Sequence, residues 1–436
     1  MALKWRCEKA VYCGKPLIEY MRMVPDPRSG RAKKHVLAEI LTYIVAGYVT
    51  GHTTLRRCLA WCKRHENWLK KGLVLLNGIA SLATVSRLLS GIDEELFLFA
   101  FMEWIGEILS AKGLHLAIDG KAVRAAASKI KGKRAPMILN AIDTATGLVL
   151  SQLPIQNKEC EITKIPELLN LLDIRGSIIT TDAVGTQTSI MEQIIGQGGH
   201  FVLMVKKNQP VSYEEIKKQF EELEEDFKKM KTEALYQPRY PELMEKYDEA
   251  SHFEKNRDRY EYRSYRVCND PECVTKTKKE WPFIKSVGYV SQTRILMVRD
   301  EKGRDITPDE ETFRREGTFR QPRPTSGDNE KDDIQVVGIL SDMEMTAEDM
   351  GRCKREHWSV ENRLHHVLDD TFREDRSPAK GSKNNLALIR KFAYNILRIA
   401  MIHLSAKCPM TEMMDLFSDD ENLLERYIFN GIDSFY

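Results

Sequence analysis

The 436-residue sequence predicts an α/β fold in which helices flank a mixed sheet, with a β-containing insertion subdomain and a helical N-terminal domain. Two patterns predict it. In mid-chain, three short β-rich runs follow one another and then give way to alternating helical and strand-like stretches. Before them, apolar residues recur at helical spacing between glycine-bearing turns. The length leaves room for two or three domains with full cores. Changes in pattern set the boundaries: 1–105 helical and basic, 106–210 the first part of the core, 211–341 the insertion, 342–405 the rest of the core, and 406–436 a C-terminal tail.

Taken in order, residues 36–48, 54–70 and 83–89 read as helices, with turns at Gly51-His52 and Asn77-Gly78. A basic helical trio suits a major groove, with 81–87 the candidate for the inserted helix, although a packing role suits that helix equally well. Residues 114–118, 137–143 and 148–154 read as strands, the latter two joined by the turn Thr144-Ala145-Thr146-Gly147. A helix over 161–172, a strand over 177–181, a helix over 188–195 and a strand over 201–205 continue the alternation. Residues 213–231 then alternate acids with lysines, as a solvated helix does. Residues 260–267 and 286–290 read as strands. The tyrosine and arginine alternation of the first suits stacking and charge contacts to nucleic acid, yet any half-buried strand alternates in that way. Residues 314–333 are polar, bear Pro and Gly, and read as a loop. Near the end, a helix over 385–402 presents Leu386, Ile389, Phe392, Ile396 and Ile399 as a packing face.

Lys and Arg total 66 against 64 Asp and Glu, so the molecule as a whole is no generic polycation. Residues 1–90, however, carry 16 basic side chains against 5 acidic ones, a local surplus suited to a phosphate backbone. Lys121, Arg124, Lys129, Lys131, Lys133 and Arg134 form a second acid-free run, fit either for phosphate contact or for a solvated hairpin tip. The 9 cysteines lack the paired spacing of a zinc site or disulfide framework and read as free thiols. With no leader and no apolar run long enough to cross a bilayer, the expected location is cytoplasmic.

Three acids stand out. Asp119 closes Leu114-His115-Leu116-Ala117-Ile118 and precedes Gly120-Lys121; Asp182 closes Ser177-Ile178-Ile179-Thr180-Thr181 and precedes Ala183-Val184-Gly185. Reactive groups favour the junction of a rigid strand with its loop, though an Asp there is commonly only a turn residue or a cap. Glu361 lies on an amphipathic helix whose apolar stripe runs through Met350, Cys353, His357, Leu364 and Leu368. Helical spacing puts Glu361 in phase with that stripe, so its carboxylate is expected to face the interior. A buried carboxylate needs a partner, and a metal ion is the usual one. The His365-His366 pair is a further metal candidate, though such pairs more often pack or face water.

The motifs around these acids resemble those of DDE-class transposases of bacterial insertion sequences, in the ISAs-type branch. Ala117-Ile118-Asp119-Gly120-Lys121 with Arg124 is similar to the first-aspartate motif, and Asp182-Ala183 with Gly185-Thr186-Gln187 to the second. Lys206-Lys207-Asn208-Gln209 resembles the basic segment that follows. His357-Trp358-Ser359-Val360-Glu361-Asn362, Val367-Leu368-Asp369 and Phe372-Arg373-Glu374-Asp375 resemble the glutamate block. Pro25-Asp26-Pro27-Arg28 and Leu37-Ala38-Glu39-Ile40-Leu41 resemble the associated N-terminal domain. The likeness runs in the family's order from about Asp26 to Arg398, and dispersed motifs in order are far more specific than one short pattern. Departures are His366 where Trp is usual, Asp370 where an apolar residue is usual, His357 at the arginine position and Leu368 at the lysine position.

The resemblance implies an RNase H-like core with Asp119, Asp182 and Glu361 as catalytic residues and metal ligands, Asp119 bridging two ions. The implied cofactor is Mg²⁺, replaceable by Mn²⁺. The implied activity is cleavage at insertion-sequence ends and strand transfer into target DNA by two-metal-ion phosphoryl transfer. Partners would be DNA, as terminal inverted repeats and target, and further copies of the chain on DNA. Lys121, Arg124, Lys131, Lys133, Arg134, Lys206, Lys207, Arg355 and Arg363 are candidate DNA contacts. Two other readings stay open: a metal-dependent endonuclease that cuts without joining, and a DNA-binding repressor of the element with unused acids.

Overall fold

A computed structural model of the chain describes residues 14–30, 33–122, 137–155, 160–256, 259–296, 302, 304–305, 334–376 and 382–432. The basic candidates Arg124, Lys129, Lys131, Lys133 and Arg134 and the expected loop over 314–333 lie outside these residues. The chain divides into two compact units, Met1–Ser177 with Glu356–Tyr436, and Ile178–Arg355.

The first unit begins with α1 (Leu17–Met21), α2 (Leu37–Val49), α3 (Leu55–Arg64), α4 (Glu66–Leu69), α5 (Leu82–Gly91) and α6 (Glu94–Ile108). Thr54, Ser81 and Asp93 cap α3, α5 and α6, each side chain accepting from a first-turn N–H, so three helix starts are written in the sequence. All of α2 is buried, as a helix apolar on every side must be. Strands β1 (His115–Ala122), β2 (Met137–Asp143) and β3 (Val149–Ile155) then pair antiparallel in the order β3-β2-β1. The expected turn between β2 and β3 is present: Asp143 accepts from Thr146 N–H at 2.8 Å, and Gly147 sits at φ 76°.

One expectation is corrected here. β1 does not end before Asp119 but runs on to Ala122, pairing Asp119 with Asn140 and Lys121 with Ile138. Gly120 is therefore a strand residue. A Cβ there would meet the Glu161 carboxylate of α7 (Glu161–Asn170), the far end of a flexible side chain, so Gly120 marks a close approach within the strand and not a turn. The first unit closes with α13 (Lys383–His403), whose Phe392 packs against Phe97, Phe101 and Trp104 of α6. Asn395 of α13 takes Val149 N–H at 3.0 Å and donates to Val149 O at 2.8 Å, fastening the helix to β3. Residues 406–436, expected as a tail, contain α14 (Met410–Asp419) and α15 (Glu421–Ile428), with Met413, Phe417 and Tyr427 buried.

The second unit holds β4 (Ile178–Thr181), α8 (Thr188–Gly196), β5 (His200–Val205), α9 (Pro210–Thr232), α10 (Pro241–Met244), β6 (Tyr247–Asn256), β7 (Arg259–Cys268), α11 (Thr275–Glu280), β8 (Ser286–Leu296), β9 (Ile334–Ser341) and the start of α12 (Ala347–Val360). Its strands run β4-β5-β9-β8-β7-β6, with β4 and β5 parallel and the other pairs antiparallel. This is the mixed sheet with flanking helices that the sequence predicts. The helix α9, expected to be solvated, is amphipathic instead: Tyr213, Ile216, Phe220 and Leu223 are buried, and Phe220 stacks on Tyr289. Met350 and Cys353 of α12 join Tyr265, Val267, Val290 and Ile339 in one core cluster. Arg266 lies on the other face of β7, paired with Glu224 of α9, so the tyrosine and arginine alternation is that of a two-sided strand.

A buried ionic network joins β1 to the helical end of the first unit. Lys121 Nζ lies 2.5 Å from Asp369 Oδ1 and 3.1 Å from Glu374 Oε2, while Arg390 Nη1 lies 3.6 Å from Glu374 Oε1. Glu374 is only 1% exposed. Burial opposes its ionisation, yet Lys391, Arg390 and Lys121 hold its carboxyl below the ordinary range. Burial also pushes Lys391 down to about 8 against the pull of Glu374. Glu374→Gln removes the anion these cations share and is expected to destabilise the protein by about 3–5 kcal/mol, read by urea unfolding. A loss below about 1 kcal/mol would show that the network does not hold the fold.

Candidate active site

The backbone brings two of the three predicted acids together within the first unit. Asp119 and Lys121 are two apart on β1 and so project from the same face. Glu361 follows α12, where the helix widens into π turns over Glu361–His365 and Val367–Thr371. A π turn closes i to i+5, so residues beyond Val360 leave the α-helical phase. The expectation that Glu361 faces the interior is accordingly corrected. Its side chain is 59% exposed, whereas Val360, Leu364 and Leu368 are buried. His365 takes the inward place at 6% exposure.

Glu361 nevertheless reaches its partner. Candidate ligand atoms of Asp119, Glu361 and His365 all lie within 4.8 Å of one another. His365 Nδ1 is 2.9 Å from Glu361 Oε2 and 3.6 Å from Asp119 Oδ2. Its Nε2 is buried without a hydrogen-bond partner. Burial lowers the imidazole pKa against the opposing pull of Glu361. These facts agree on one state: a neutral ring donating through Nδ1–H to Glu361, because protonation at Nε2 would bury an unpaired N–H. The two carboxylates are then the metal-competent donors, their oxygens suited to Mg²⁺, and the ring orients Glu361 from behind through its Nδ1–H. The helical spacing of Glu361 and His365 could have flagged the pair, since residues four apart meet on one helix face.

Asp182 belongs to the second unit. It follows β4, as expected, and its Oδ1 accepts from Val184 N–H at 2.9 Å. The remaining candidates have varied surroundings. Lys121 is buried between Asp369 and Glu374, which withdraws it as a phosphate contact. Arg363 Nη1 donates to Thr144 O at 2.7 Å. Lys206 is half-buried and Lys207 exposed just beyond β5. The guanidinium of Arg355 lies 5.7 Å from the centre of the Tyr265 ring. His357 is buried, and the departures His366 and Asp370 are both exposed. Trp358, on the last turn of α12, is 52% exposed.

Seven cysteines lie among the described residues, and all are free. Among those residues no helix is long and apolar enough to cross a membrane.

Residues 18–105 match the family described as DDE_Tnp_1-associated, and residues 110–396 match the Transposase DDE domain. The Escherichia coli (strain K12) protein YbfL is 30% identical over 388 residues, covering 88% of this chain and 90% of its own length. The "H repeat-associated putative transposase YhhI" of the same organism shows the same identity and coverage. A piggyBac transposase synaptic complex with hairpin DNA aligns with a TM-score of 0.40 at 11% identity, over 94% of this chain and 76% of that one. With the transposase domain spanning well over half its length, this chain belongs to the DDE-class transposases of bacterial insertion sequences, enzymes that cleave and transfer DNA.

Proposed function

We propose that the protein cuts DNA at the ends of an insertion sequence and joins the freed 3′ hydroxyl to target DNA, with Asp119, Asp182 and Glu361 as the acids of one metal-dependent site. The observation that carries this reading is the meeting of Asp119, Glu361 and His365. Asp119, Asp182 and Glu361 would hold a pair of divalent cations, which would stabilise charge on the attacking and leaving oxygens of an in-line displacement. The protein's own contribution is placement. Asp119 stands on a paired strand, and Glu361 is oriented by the Nδ1–H of His365. Asp182 enters on its motif and its place after β4. Water attacks phosphorus in the first step and the 3′-oxygen leaves; in the second, that 3′ hydroxyl attacks a target phosphodiester and the target strand's 3′-oxygen leaves as a hydroxyl. Mg²⁺ is the proposed cofactor, with Mn²⁺ able to replace it.

DNA is the partner. With Lys121 ion-paired inside the protein, Lys206, Lys207, Arg355 and the exposed Arg363 remain as candidate phosphate contacts among the described residues. Trp358, three residues before Glu361, adds an exposed ring on which a base can stack. Two element ends must be held at once, so the proposed working form is two or more copies on DNA, in the cytoplasm.

The test uses purified protein, a labelled duplex bearing the element's end, a supercoiled target and Mg²⁺ or Mn²⁺. Wild type is expected to cut and join, and Asp119→Asn, Asp182→Asn and Glu361→Gln to do neither while still binding DNA. Nicking without joining would replace the reading with the endonuclease, and binding without metal-dependent chemistry with the repressor. His365→Ala should weaken Mn²⁺ binding by about 10- to 100-fold, measured without DNA by the electron paramagnetic resonance of free Mn²⁺. An unchanged affinity would return His365 to a packing role. Trp358→Ala should cost about 1–3 kcal/mol of affinity for a duplex with a frayed or single-stranded end, and much less for a blunt one.

A further inference from the structure

One helix of the first unit carries a face made of uncompensated cations. On α3, Arg56, Arg57, Ala60, Lys63 and Arg64 are exposed, whereas Cys58, Leu59, Trp61 and Cys62 are buried. Residues three, four and seven apart share a helix face, so the four cations line one side of the helix with the small Ala60 between them. Among the described residues no carboxylate pairs with any of the four. The charged helix α9 is the contrast, since its lysines are answered one turn back: Lys228 lies 2.7 Å from Glu224 and Lys229 2.8 Å from Glu225. The first turn of α3 holds Arg56 and Arg57 and no acid. The positive end of a helix dipole disfavours cations, so these arginines do nothing for the helix that bears them. Other contacts hold α3 in place. Thr54 caps it, Cys58 Sγ donates to Ile44 O at 3.5 Å, and Cys62 Sγ donates to Tyr43 O at 3.4 Å. Gly47 lets α2 and α3 come together, since a Cβ there would lie 2.5 Å from Cys58 Sγ.

We propose that this face of α3 docks on the phosphate backbone of duplex DNA, with Arg56, Arg57, Lys63 and Arg64 as the contacts. The choice of DNA rests on the transposition reading above; the uncompensated face itself does not. From Arg57 to Arg64 the helix rises about 10 Å, comparable with the roughly 12 Å width of the major groove. Cations at its two ends can therefore reach phosphates of both strands, while Ala60 lets the middle of the helix come close. Such contacts neutralise phosphates and set register without reading bases. This differs from the sequence expectation, which put residues 81–87 in the groove. The helix there, α5, buries Val85, Leu88 and Leu89, and its one cation, Arg87, donates to Ala83 O at 3.3 Å, so packing accounts for it.

Affinity of the full-length chain is measured against salt for a duplex bearing the element's end and for one of arbitrary sequence, with thermal stability recorded alongside. Arg57→Gln, Lys63→Gln and Arg64→Gln are each expected to weaken binding of both duplexes about tenfold and to lower the log–log salt slope by about 1. Lys63→Arg should keep most of the affinity, and Arg87→Gln all of it. The Tm of the three glutamine variants should equal or exceed that of wild type, because no ion pair is lost. Wild-type affinity and slope in all three would make the face merely solvated and overturn the proposal. A loss produced by Arg87→Gln and not by them would move the contact to α5 and overturn it equally. A loss confined to the element's end would make the face a reader of bases and overturn the phosphate assignment. A wild type that holds neither duplex would overturn the proposal and the transposition reading together. Weakened binding by the variants, in a protein whose wild type neither cuts nor joins, would count against the transposition reading alone and leave the docking face standing.

Discussion

The charged network around Glu374 is the constraint on which the acidic site of the first unit depends. Glu374 lies 13 positions after Glu361 and is reached from β1 by Lys121, the second residue after Asp119. One ion pair therefore spans two of the elements that carry the acids. Arg390 and Lys391 bring α13 to the same carboxylate, and α13 is itself fastened to β3 through Asn395. A well-packed apolar cluster of similar volume would commonly be as stable or more so, because desolvating charges offsets much of their attraction. What apolar packing does not supply is direction. Ion pairs and the paired amide of Asn395 accept one register only, and a metal site tolerates little play in its ligands.

That positioning explains why the helix is wound irregularly. Val360, Leu364 and Leu368 keep an apolar seam against the core, while Asp369 must meet Lys121 and Glu361 must stand near Asp119. An α-helix turns 100° per residue, so it cannot serve all of these without adding residues to a turn. The π segments do so, and the result is a carboxylate at the mouth of the site with an imidazole behind it. Helical phase read from Met350, Cys353 and His357 is right up to Val360 and wrong immediately after. Nothing in local propensity marks the change, because it is imposed by contacts more than 200 positions away in sequence.

Much of the fold was legible because its elements obey local rules. Capped helix starts, the Gly147 turn, the parallel pair β4 and β5 and the amphipathic α13 all follow from periodicity and turn chemistry. The unread elements have specific causes. β6 is an edge strand, rich in Asp, Glu and Lys, and shows no apolar alternation. β9 lies between β5 and β8, and its nearly continuous apolar run gives no period to recognise. The sheet-facing residues of α9 are spaced correctly but are outnumbered by the charges on its other face. At the candidate site of the first unit, Asp119 and Glu361 were identifiable from their motifs. The exposure of Glu361 was not, since it depends on the π winding, although the four-residue spacing of Glu361 and His365 marks their meeting.

Charge balance carries the same lesson one step further. A chain with 66 basic and 64 acidic side chains has almost no net field with which to attract DNA. What matters is which cations are already spent. Lys121 is two residues from Asp119 and would be the natural phosphate contact by position alone, but Asp369 and Glu374 occupy it. Lys354, whose motif attracts no attention, has no carboxylate partner among the described residues. An ammonium paired inside the protein gains little from a phosphate, since it must break one ion pair to make another. An unpaired one recovers on binding the desolvation it suffered on folding. In a nearly neutral protein, the surface that grips a polyanion is therefore set by its unpaired cations, and these emerge only once the ion pairs are assigned.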